Sequence, residues 1–540
     1  MSYENVPKNL TEKAVLTRGG APDYTKLAAA AFPVPALAEA GAILENSDTG
    51  DRYRWTGTVW VQDSYKSEVV NLPVTAFGEI SVANLTPVIQ ITAQYGLRDE
   101  VERLAIGGTV TAVDSKFVVT TGVSAGGLAV IGSTKYATYR AGQGLLARFT
   151  ALFTLGVINS FQFSGIFTSE NNIGFGYDGA DFGILHAKDG TLEYYELTVT
   201  GAAGGAENAT VTINGTPYVV AITAGTVAKN AYELAVGLSA LVVGYAFSSV
   251  DDMVIVIGQI PDIGGGAFTF ASATATATFA QIASNLKPIE TWIPKTAWNI
   301  RPDIDIDPTL GNVFQVQLQY LGFGGIKFYI EDPYTAALVL VHVIRYANTS
   351  LVPSVNTPIF RVGWGARNLG NITNLTVQGA SAAVFIEGSI AIDANKQAAH
   401  IVQAAIGTTR TSILSIQNRR TYFGTVNRAE IIFRSLALST DTTKTAEFEL
   451  IRNPTVVAGG FIEFNDLGAD SLGQTSTTAV QITGGEIVAA YNIKAANPFQ
   501  VDVDAVLSKL EPGDILCITS KVSSGAASEM GASLVWLDDL

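Results

Sequence analysis

Residues that could do acid–base or nucleophilic chemistry are few in this chain. The three histidines, His186, His342 and His400, stand in separate segments without a paired acidic or thiol motif. Catalysis of this kind needs a poised group within hydrogen-bond reach of a partner, and isolated histidines give no sign of one. The single cysteine, Cys517, stands in the apolar stretch ILCI, which favours a buried thiol that packs as a small hydrophobic group. We therefore expect structural roles for these residues and do not expect an enzyme.

The sharpest polar cluster is Asp303, Asp305 and Asp307, which alternate with isoleucines. This alternation predicts three carboxylates on one face of a strand, where a hard cation such as calcium could relieve their repulsion. Simple solvation of an exposed strand explains the pattern better, and the glycine and bidentate acid of an EF-type loop are missing. No metal site and no cofactor are predicted, and cation binding by these aspartates stays open. Two carboxylates could also serve a glycosidase, but sequence spacing does not give their separation in space.

Aromatic residues offer a second route to function. Tyr194, Tyr195, Trp292, Trp298 and Trp364 could stack on sugar rings. Core packing is the favoured alternative, because large aromatic side chains dominate the interiors of β-sandwiches. The sequence therefore assigns no catalytic residue and identifies no binding residue.

Composition and charge favour some classes of binding partner and argue against others. Only 15% of its 540 residues are charged, whereas soluble domains average about 25%, and the net charge is −15. Excess apolar surface is most simply buried against other copies of the chain, so we expect a homo-oligomer, with a trimer as the leading form. Clustered basic residues are missing, which argues against nucleic acid. The longest apolar stretch, 231–247, is shorter than a membrane span and contains Glu233. No membrane insertion and no cleaved signal peptide are expected, so synthesis is placed in the host cytoplasm.

Hydrophobic patterning predicts a mainly β protein of antiparallel sandwiches. Gln315, Gln317 and Gln319 alternate with apolar residues, which is typical of a sheet with one solvated face. The apolar run 337–344 predicts a strand buried on both faces. Asn214-Gly215 predicts a tight hairpin, and 227–241 predicts a helix, with a second, weaker helix over 504–510.

The distribution of turns and composition suggests four regions. The first is irregular and contains a small hairpin around Thr56-Gly57, and the third is a Gly/Ala-rich α+β insertion. The predicted regions are an N-terminal segment over 1–65, a central β-sandwich over 66–195 and 286–435, an inserted α+β domain over 196–285, and a C-terminal β-sandwich head over 436–540.

Several stretches resemble a module of virion structural proteins from tailed bacteriophages and large DNA viruses. The first half of the module is matched by KYATYRAGQGLLARFT at 135–150, GFGYDG at 174–179 and FGILH at 182–186. The later half is DPTLGNVFQVQLQYLGFG at 307–324 and FYIEDP at 328–333. The resemblance implies a jelly-roll or lectin-like β-sandwich in a fibre, tail or capsid-surface protein, and it carries over no catalytic residue.

Two shorter resemblances concern the ends of the chain. The Trp-containing hairpin at 51–60 is similar to anchoring repeats of phage tail proteins, and LEPGDIL at 510–516 with GASLVW at 531–536 resembles the closing strands of trimeric heads. The first resemblance implies that residues 1–65 are a virion-attachment segment that binds other virion proteins, and the second implies a trimeric C-terminal head.

The function expected from these observations is that of a non-enzymatic virion structural protein, fibre-like or tail-associated, which contributes to host attachment. Its partners would be copies of itself, other virion proteins, and a host surface glycan or envelope protein. A purely architectural role in capsid decoration or a baseplate is the alternative. A depolymerising tailspike is a third, weaker alternative, because such enzymes usually show a solenoid repeat that this sequence lacks.

Overall fold

The chain divides into two units, Met1–Val82 and Ala83–Leu540. The helix predicted over 504–510 lies largely outside the described residues. The computed structural model describes residues 12–18, 21–26, 43–46, 52–55, 60–62, 85–259, 267–388, 395–468, 470–494, 499–503 and 509–539.

The described part of the first unit is a single sheet. Its strands are β1 (Glu12–Arg18), β2 (Ala21–Lys26), β3 (Ile43–Asn46), β4 (Arg52–Trp55) and β5 (Trp60–Gln62). They pair in chain order, with β2 and β3 parallel and the other neighbours antiparallel.

Two predictions for this unit have different outcomes. The hairpin around Thr56-Gly57 is confirmed, because β4 and β5 pair with Trp55 opposite Trp60. The irregular segment over 1–65 is corrected to this five-stranded sheet, within a unit that ends at Val82. Strands this short satisfy one another's backbone groups without a clear alternating pattern, so composition alone did not reveal them.

The second unit begins with strands of a central sandwich. They are β6 (Leu85–Thr92), β7 (Val101–Ile106), β8 (Thr109–Val113), β9 (Lys116–Thr120), β10 (Leu128–Ser133), β11 (Ala137–Thr138), β12 (Leu145–Phe153), β13 (Ser160–Phe167), β14 (Asn172–Asp178) and β15 (Asp181–Lys188).

A separate α+β region follows. Its elements are β16 (Tyr194–Gly201), β17 (Glu207–Ile213), β18 (Thr216–Ile222), α1 (Val227–Leu241), β19 (Tyr245–Val250), β20 (Met253–Gly258), β21 (Phe268–Ala271) and β22 (Thr276–Ala283). It has its own buried core, and an isolated bridge between Thr191 and Leu286 closes its base.

The predicted hairpin and helix of this insertion are both confirmed. β17 and β18 pair around Asn214 and Gly215, whose φ angles of 52° and 79° are the left-handed values that a tight hairpin turn requires. Helix α1 begins after Thr226, whose side chain accepts a hydrogen bond from the Lys229 N–H. Its apolar face, which includes Leu234 and Leu238, packs into the core of the insertion.

The chain then returns to the central sandwich. These elements are β23 (Ile289–Pro294), a 3₁₀ turn (Lys295–Ala297), β24 (Asn312–Leu318), β25 (Ile326–Glu331), β26 (Leu338–Ile344), β27 (Ile359–Asn368), β28 (Thr376–Gly379) and β29 (Ser381–Glu387).

The central sandwich consists of two antiparallel sheets over one apolar core. The first sheet has the order β23-β15-β14-β13-β27-β10-β7, with β11 also paired to β27. The second sheet has the order β26-β25-β24-β12-β28-β9-β8, and β29 pairs with both β12 and β6. The strand predicted at 337–344 is β26, but the prediction that both of its faces are buried is wrong. β26 is an edge strand with β25 as its neighbour, and most of its side chains are half-buried.

Trp364 ties the two sheets together. Its side chain is completely buried, and the indole N–H donates to the Thr150 carbonyl oxygen of the other sheet at 2.8 Å. The ring occupies the space beside Gly379, where a Cβ atom would overlap the indole. A glycine is therefore required at position 379 for packing.

The C-terminal sandwich has its own core between two further sheets. Its strands are β30 (Asn395–Ile406), β31 (Thr411–Asn418), β32 (Thr421–Tyr422), β33 (Thr425–Val426), β34 (Glu430–Thr440), β35 (Ala446–Arg452), β36 (Thr455–Val456), β37 (Asn465–Asp466), β38 (Gly473–Ser476), β39 (Val480–Thr483), β40 (Glu486–Ile493), β41 (Phe499–Asp502), β42 (Ile515–Val522) and β43 (Ser528–Asp539). One sheet has the order β30-β43-β34-β41, and the other has the order β36-β39-β31-β42-β35-β40, with β38 on β31 and β37 on β38.

The start of this sandwich differs from the predicted boundary at 435–436. β30 pairs with β43 and β31 pairs with β42, so the strands between 395 and 435 belong to the C-terminal core. Their partners lie between 98 and 143 residues later in the chain, and pairing over such a distance leaves no local signal in the sequence.

Ion pairs join the two sandwiches. Arg140 of the central sandwich lies 2.6 Å from Asp539, and Arg428 of the C-terminal sandwich lies 2.5 Å from Glu170. These contacts place the C-terminal sandwich at the end of the central one where β13 ends and β14 begins.

Candidate functional site

Polar side chains cover the outer side of the second central sheet. Arg148 on β12 stands opposite Gln315 on β24, which stands opposite Tyr329 on β25. Gln317 and Lys327 occupy the next outward positions on β24 and β25. Their neighbours along each strand, such as Phe314, Val316 and Phe328, point into the core. We call the six residues Arg148, Gln315, Gln317, Lys327, Tyr329 and Glu387 the outer polar face.

Hydrogen bonds connect this face into a network. The Arg148 Nε donates to Gln315 Oε1 at 2.7 Å, and the Tyr329 hydroxyl donates to Gln317 Oε1 at 3.1 Å. Gln317 Nε2 in turn donates to Glu387 Oε1 at 2.7 Å. Each side chain is thus held in one orientation by a neighbour on another strand.

Burial differs across the network. Gln315 and Gln317 are only 5% and 2% exposed, whereas Lys327 and Tyr329 are half-buried and Arg148 is exposed. The prediction that Gln315, Gln317 and Gln319 face solvent is therefore wrong, because the long side chains on neighbouring strands lie over the amides. Arg148, Lys327 and Tyr329 form the layer that a ligand would meet.

Electrostatics keep this layer in defined protonation states. Burial, with a smaller contribution from Glu387, raises the pKa of Tyr329 to about 12, so its hydroxyl stays neutral and can donate. Burial lowers the pKa of Lys327, and the nearby Glu387 partly offsets that effect. The face therefore offers a guanidinium, an amine, a phenol, amide groups and one carboxylate.

These groups fit hydrogen bonding to a polar, hydroxyl-rich molecule. Arginine and lysine donate only, a carboxylate accepts only, and amides do both, so together they match hydroxyl groups that donate and accept. The Tyr329 ring adds an aromatic surface beside them.

Glu387 and Glu331 are two carboxylates on the outer side of this sheet. Glu331 also points outward on β25, but it lies about six residues along the strand and three strands across from Glu387. Strand geometry makes this a separation on the order of 20 Å. Glycosidase pairs lie about 5–9.5 Å apart, so these two glutamates do not form one.

The aspartates predicted on one strand face are arranged differently. Residues 301–311 form an irregular loop, although Ile304 and Ile306 still turn toward the core. Asp303 pairs with Arg301, Asp305 accepts from the Tyr334 hydroxyl at 2.9 Å, and Asp307 accepts from the Thr309 N–H and hydroxyl. These bonds lower the pKa of Asp303 and Asp307. The predicted alternation of isoleucines and aspartates between core and solvent is confirmed. The predicted strand is wrong, because the carboxylates bind local partners and the segment has no paired strand.

Within the described ranges, no group of three or more His, Cys, Asp or Glu side chains is placed to hold a metal ion. No helix in this part of the chain has the length and apolar character needed to cross a membrane.

The three histidines lie on three different sheets, His186 on β15, His342 on β26 opposite the core residue Phe328, and His400 on β30. His186 is buried, with Nε2 2.8 Å from the Ser354 carbonyl oxygen, and burial lowers its pKa to about 4. His342 is also buried, accepts from the Asn299 N–H at 3.1 Å, and has a pKa lowered by burial. His400 lies exposed on β30.

Cys517 is completely buried. Its Sγ lies 3.1 Å from the Ser415 hydroxyl, and burial raises the pKa of the thiol to about 11. A thiol in this state is neither a nucleophile nor a metal ligand at neutral pH.

Four of the five aromatic candidates are core residues. Tyr194, Tyr195, Trp298 and Trp364 are at most 5% exposed, so they cannot stack on a sugar at the surface. Trp292 is half-buried on the outside of the first sheet, where it packs with Phe163 and other apolar residues.

Buried carboxylates also occur in the C-terminal sandwich. Glu430 stands directly opposite Asp539 on the neighbouring strand, and Glu511 lies beside Glu430. Lys509 forms an ion pair with Glu430, and all three acids are less than 10% exposed. Burial, and next the charge of Glu430, raise the pKa of Glu511 to about 9, so its side chain is protonated at neutral pH.

Sequence reasoning missed the outer polar face. Its residues come from β12, β24, β25 and β29, which are brought together by pairings between positions 148 and 383. One signal was available, namely that the alternating polar residues at 315–319 are all glutamines and include no charged residue, which suits buried amides better than a solvated face.

Comparisons with known proteins give only weak similarities. No protein-family model matches the chain, and no curated protein matches it. The carbohydrate recognition domain of Emp47p matches with a TM-score of 0.22 and 8% identity over 56% of this chain and 95% of that chain. Lectin II from Ulex europaeus matches with a TM-score of 0.20 and 10% identity over 56% of this chain and 100% of that chain.

A viral neighbour covers more of the chain. The structure of Sulfolobus Turreted Icosahedral Virus includes a chain with a TM-score of 0.14 and 9% identity, over 85% of this chain and 98% of that chain. The strands of this structure form mainly antiparallel sheets that pack into β-sandwiches, so the predicted fold class is confirmed. At these scores the neighbours carry no argument about a ligand or a partner.

Proposed function

We propose that this chain is a non-enzymatic structural protein of a virus particle, fibre-like or tail-associated, that contributes to host attachment by binding a surface glycan. The observation that carries the proposal is the outer polar face, where Lys327 lies on the same side of the sheet as Arg148 and Tyr329, whose side chains are held by hydrogen bonds, and where Glu387 and Glu331 are too far apart for hydrolysis. Assembly with other copies and with other virion proteins is part of the proposal.

The placement of the resembling segments supports the virion role. Residues 135–150 span β11 and the start of β12, 174–179 and 182–186 lie in β14 and β15, and 307–333 contains β24 and most of β25. All of these strands belong to the central sandwich, so the resemblance covers one folded body.

A glycan array with the purified full-length chain tests the proposal. Binding of wild type to one group of oligosaccharides is expected, and Arg148→Ala should weaken it about tenfold or more, because a charge-assisted hydrogen bond contributes roughly 1.5–3 kcal/mol. Tyr329→Phe should weaken it less, since only one hydroxyl is lost.

Matched controls lie elsewhere on the same sandwich. Arg301→Ala and Tyr334→Phe make the same chemical changes outside the outer polar face. Arg301 pairs with Asp303, and the Tyr334 hydroxyl donates to Asp305. They should leave binding unchanged. Failure of wild type to bind any oligosaccharide would favour the architectural alternative in capsid decoration or a baseplate, and release of reducing ends from a bound polysaccharide would favour a depolymerising tailspike.

A further inference from the structure

Three loops lie together at one end of the central sandwich. Strands β9, β12 and β27 all end there, and the loops that follow them are 121–127, 154–159 and 369–375. The insertion leaves and re-enters at the opposite end, through Thr191 and Leu286, and the C-terminal sandwich also contacts that opposite end. We call the end that carries the three loops the distal end.

The distal loops expose five large aliphatic side chains. Val123, Leu155, Ile158, Leu369 and Ile372 are between 48% and 72% exposed, and we call them the distal patch. The three loops that hold them contain no charged residue. Together these side chains expose on the order of 600 Å² of apolar surface, which is at the upper limit for a typical monomer.

Hydrogen bonds hold the three loops in one arrangement. The Asn368 side chain donates to the carbonyl oxygens of Gly122, Ser124 and Thr373. The N–H of Leu369 donates to Asn159 and that of Gly370 donates to Ala125, each at 2.8 Å. The aliphatic side chains are thus presented by a preorganised surface, which lowers the entropy lost when a partner binds.

Charges of both signs border the patch. Asp178 and Arg367 stand on either side of Phe161 in a row across three strands, so they are about 10 Å apart. Among the described residues neither side chain has an ion-pair or hydrogen-bond partner. We call Asp178 and Arg367 the rim charges. An acid and a base on the same sheet face can be complementary to themselves, because the acid of one copy can meet the base of the next.

We infer that the distal patch is the surface through which a second copy of this chain binds. Two patches would bury on the order of 1,200 Å², the lower limit of specific interfaces, before the surrounding asparagines and threonines are counted. Other ligands fit less well. The loops have no aromatic ring or charged group for a glycan, and no basic residue for nucleic acid or an anionic membrane. This inference deepens the proposed self-assembly and does not depend on glycan binding.

Sedimentation velocity on the full chain tests the inference. At about 1–20 µM, wild type should sediment as a multiple of 56.8 kDa. The double variant Ile158→Asp, Ile372→Asp should dissociate at least tenfold more readily, because it places charges in the apolar centre of the contact. The control Leu321→Asp, Leu351→Asp changes two comparably exposed leucines in other loops and should behave as wild type.

Charge exchange at the rim provides a second measurement. Arg367→Asp alone and Asp178→Arg alone should each weaken association several-fold, and the two changes together should restore it. A 57 kDa wild-type species throughout, an aspartate double variant that associates like wild type, or a charge-exchanged double variant weaker than both single variants would each overturn the inference. Glycan-array binding by monomeric wild type would leave the attachment proposal standing while this one fails.

Discussion

Replacing Glu511 with glutamine should stabilise the C-terminal sandwich at neutral pH. Glu511 is 8% exposed and its pKa is raised to about 9, first by burial and then by Glu430. The folded state therefore holds a proton that the unfolded state releases near pH 4.5. An acid with a raised pKa binds more protons when folded, so stability is lost as the pH rises from about 4.5 to about 9.

The magnitude follows from that window. At pH 7 the unfolded side chain lies 2.5 pH units above its pKa of 4.5, and at about 1.4 kcal/mol per unit the upper limit of the cost is ~3 kcal/mol. A glutamine cannot ionise and can still donate to Glu430, as the protonated acid does. Glu511→Gln should consequently gain up to ~3 kcal/mol over wild type at pH 7, and almost nothing at pH 4.5.

Hydrogen exchange with urea, followed by mass spectrometry on peptides covering β42 and β43, measures this locally. The opening free energy of those strands should fall between pH 5 and pH 8 in wild type and change much less in Glu511→Gln. Glu529→Gln, an exposed glutamate on β43, is the matched control and should follow wild type. An equal difference between Glu511→Gln and wild type at pH 5 and pH 8 would refute the reasoning.

Two further predictions concern the central sandwich. Gly379→Ala should lower the free energy of unfolding by about 1–3 kcal/mol, because the new Cβ would overlap the Trp364 indole. Gly126→Ala is the control, since a Cβ there meets open space and should change stability little. Thermal denaturation followed by near-UV circular dichroism compares the two variants, and equal melting points would contradict the packing argument. His186 has a pKa lowered to about 4, so the folded state resists a proton that the unfolded state takes up near pH 6.5, and stability should fall as the pH drops from about 6.5 to about 4. His186→Gln should lose part of that pH dependence in melting curves at pH 7 and pH 4.5, and an unchanged slope would show that other groups cause it.

Local patterns predicted local structure well. Asn214-Gly215 and the apolar spacing of 227–241 gave the hairpin and the helix, because turn chemistry and amphipathic period act within a few residues. The same reasoning was wrong for 301–311, where alternating side chains face the core without a paired strand. Alternation reports which way side chains point, and pairing depends on a second segment that the pattern does not contain.

Long-range pairing was the part that the sequence could not supply. The C-terminal sandwich takes β30 and β31 from before the expected boundary, and the outer polar face joins Arg148 to Gln315 across 167 positions. The composition of each strand gave no register between them. The buried glutamines show the same effect, since Gln315 and Gln317 are buried by side chains from strands that only the folded chain brings near.

The bridge between Thr191 and Leu286 has an evolutionary consequence. Because β15 pairs directly with β23, the insertion leaves and rejoins the sandwich at neighbouring positions on one sheet edge. A lineage could lose, lengthen or exchange everything between those two residues, and a short turn would still connect the strands. The surface that varies most readily among relatives of this chain should therefore be the insertion, with the sandwich beneath it inherited unchanged.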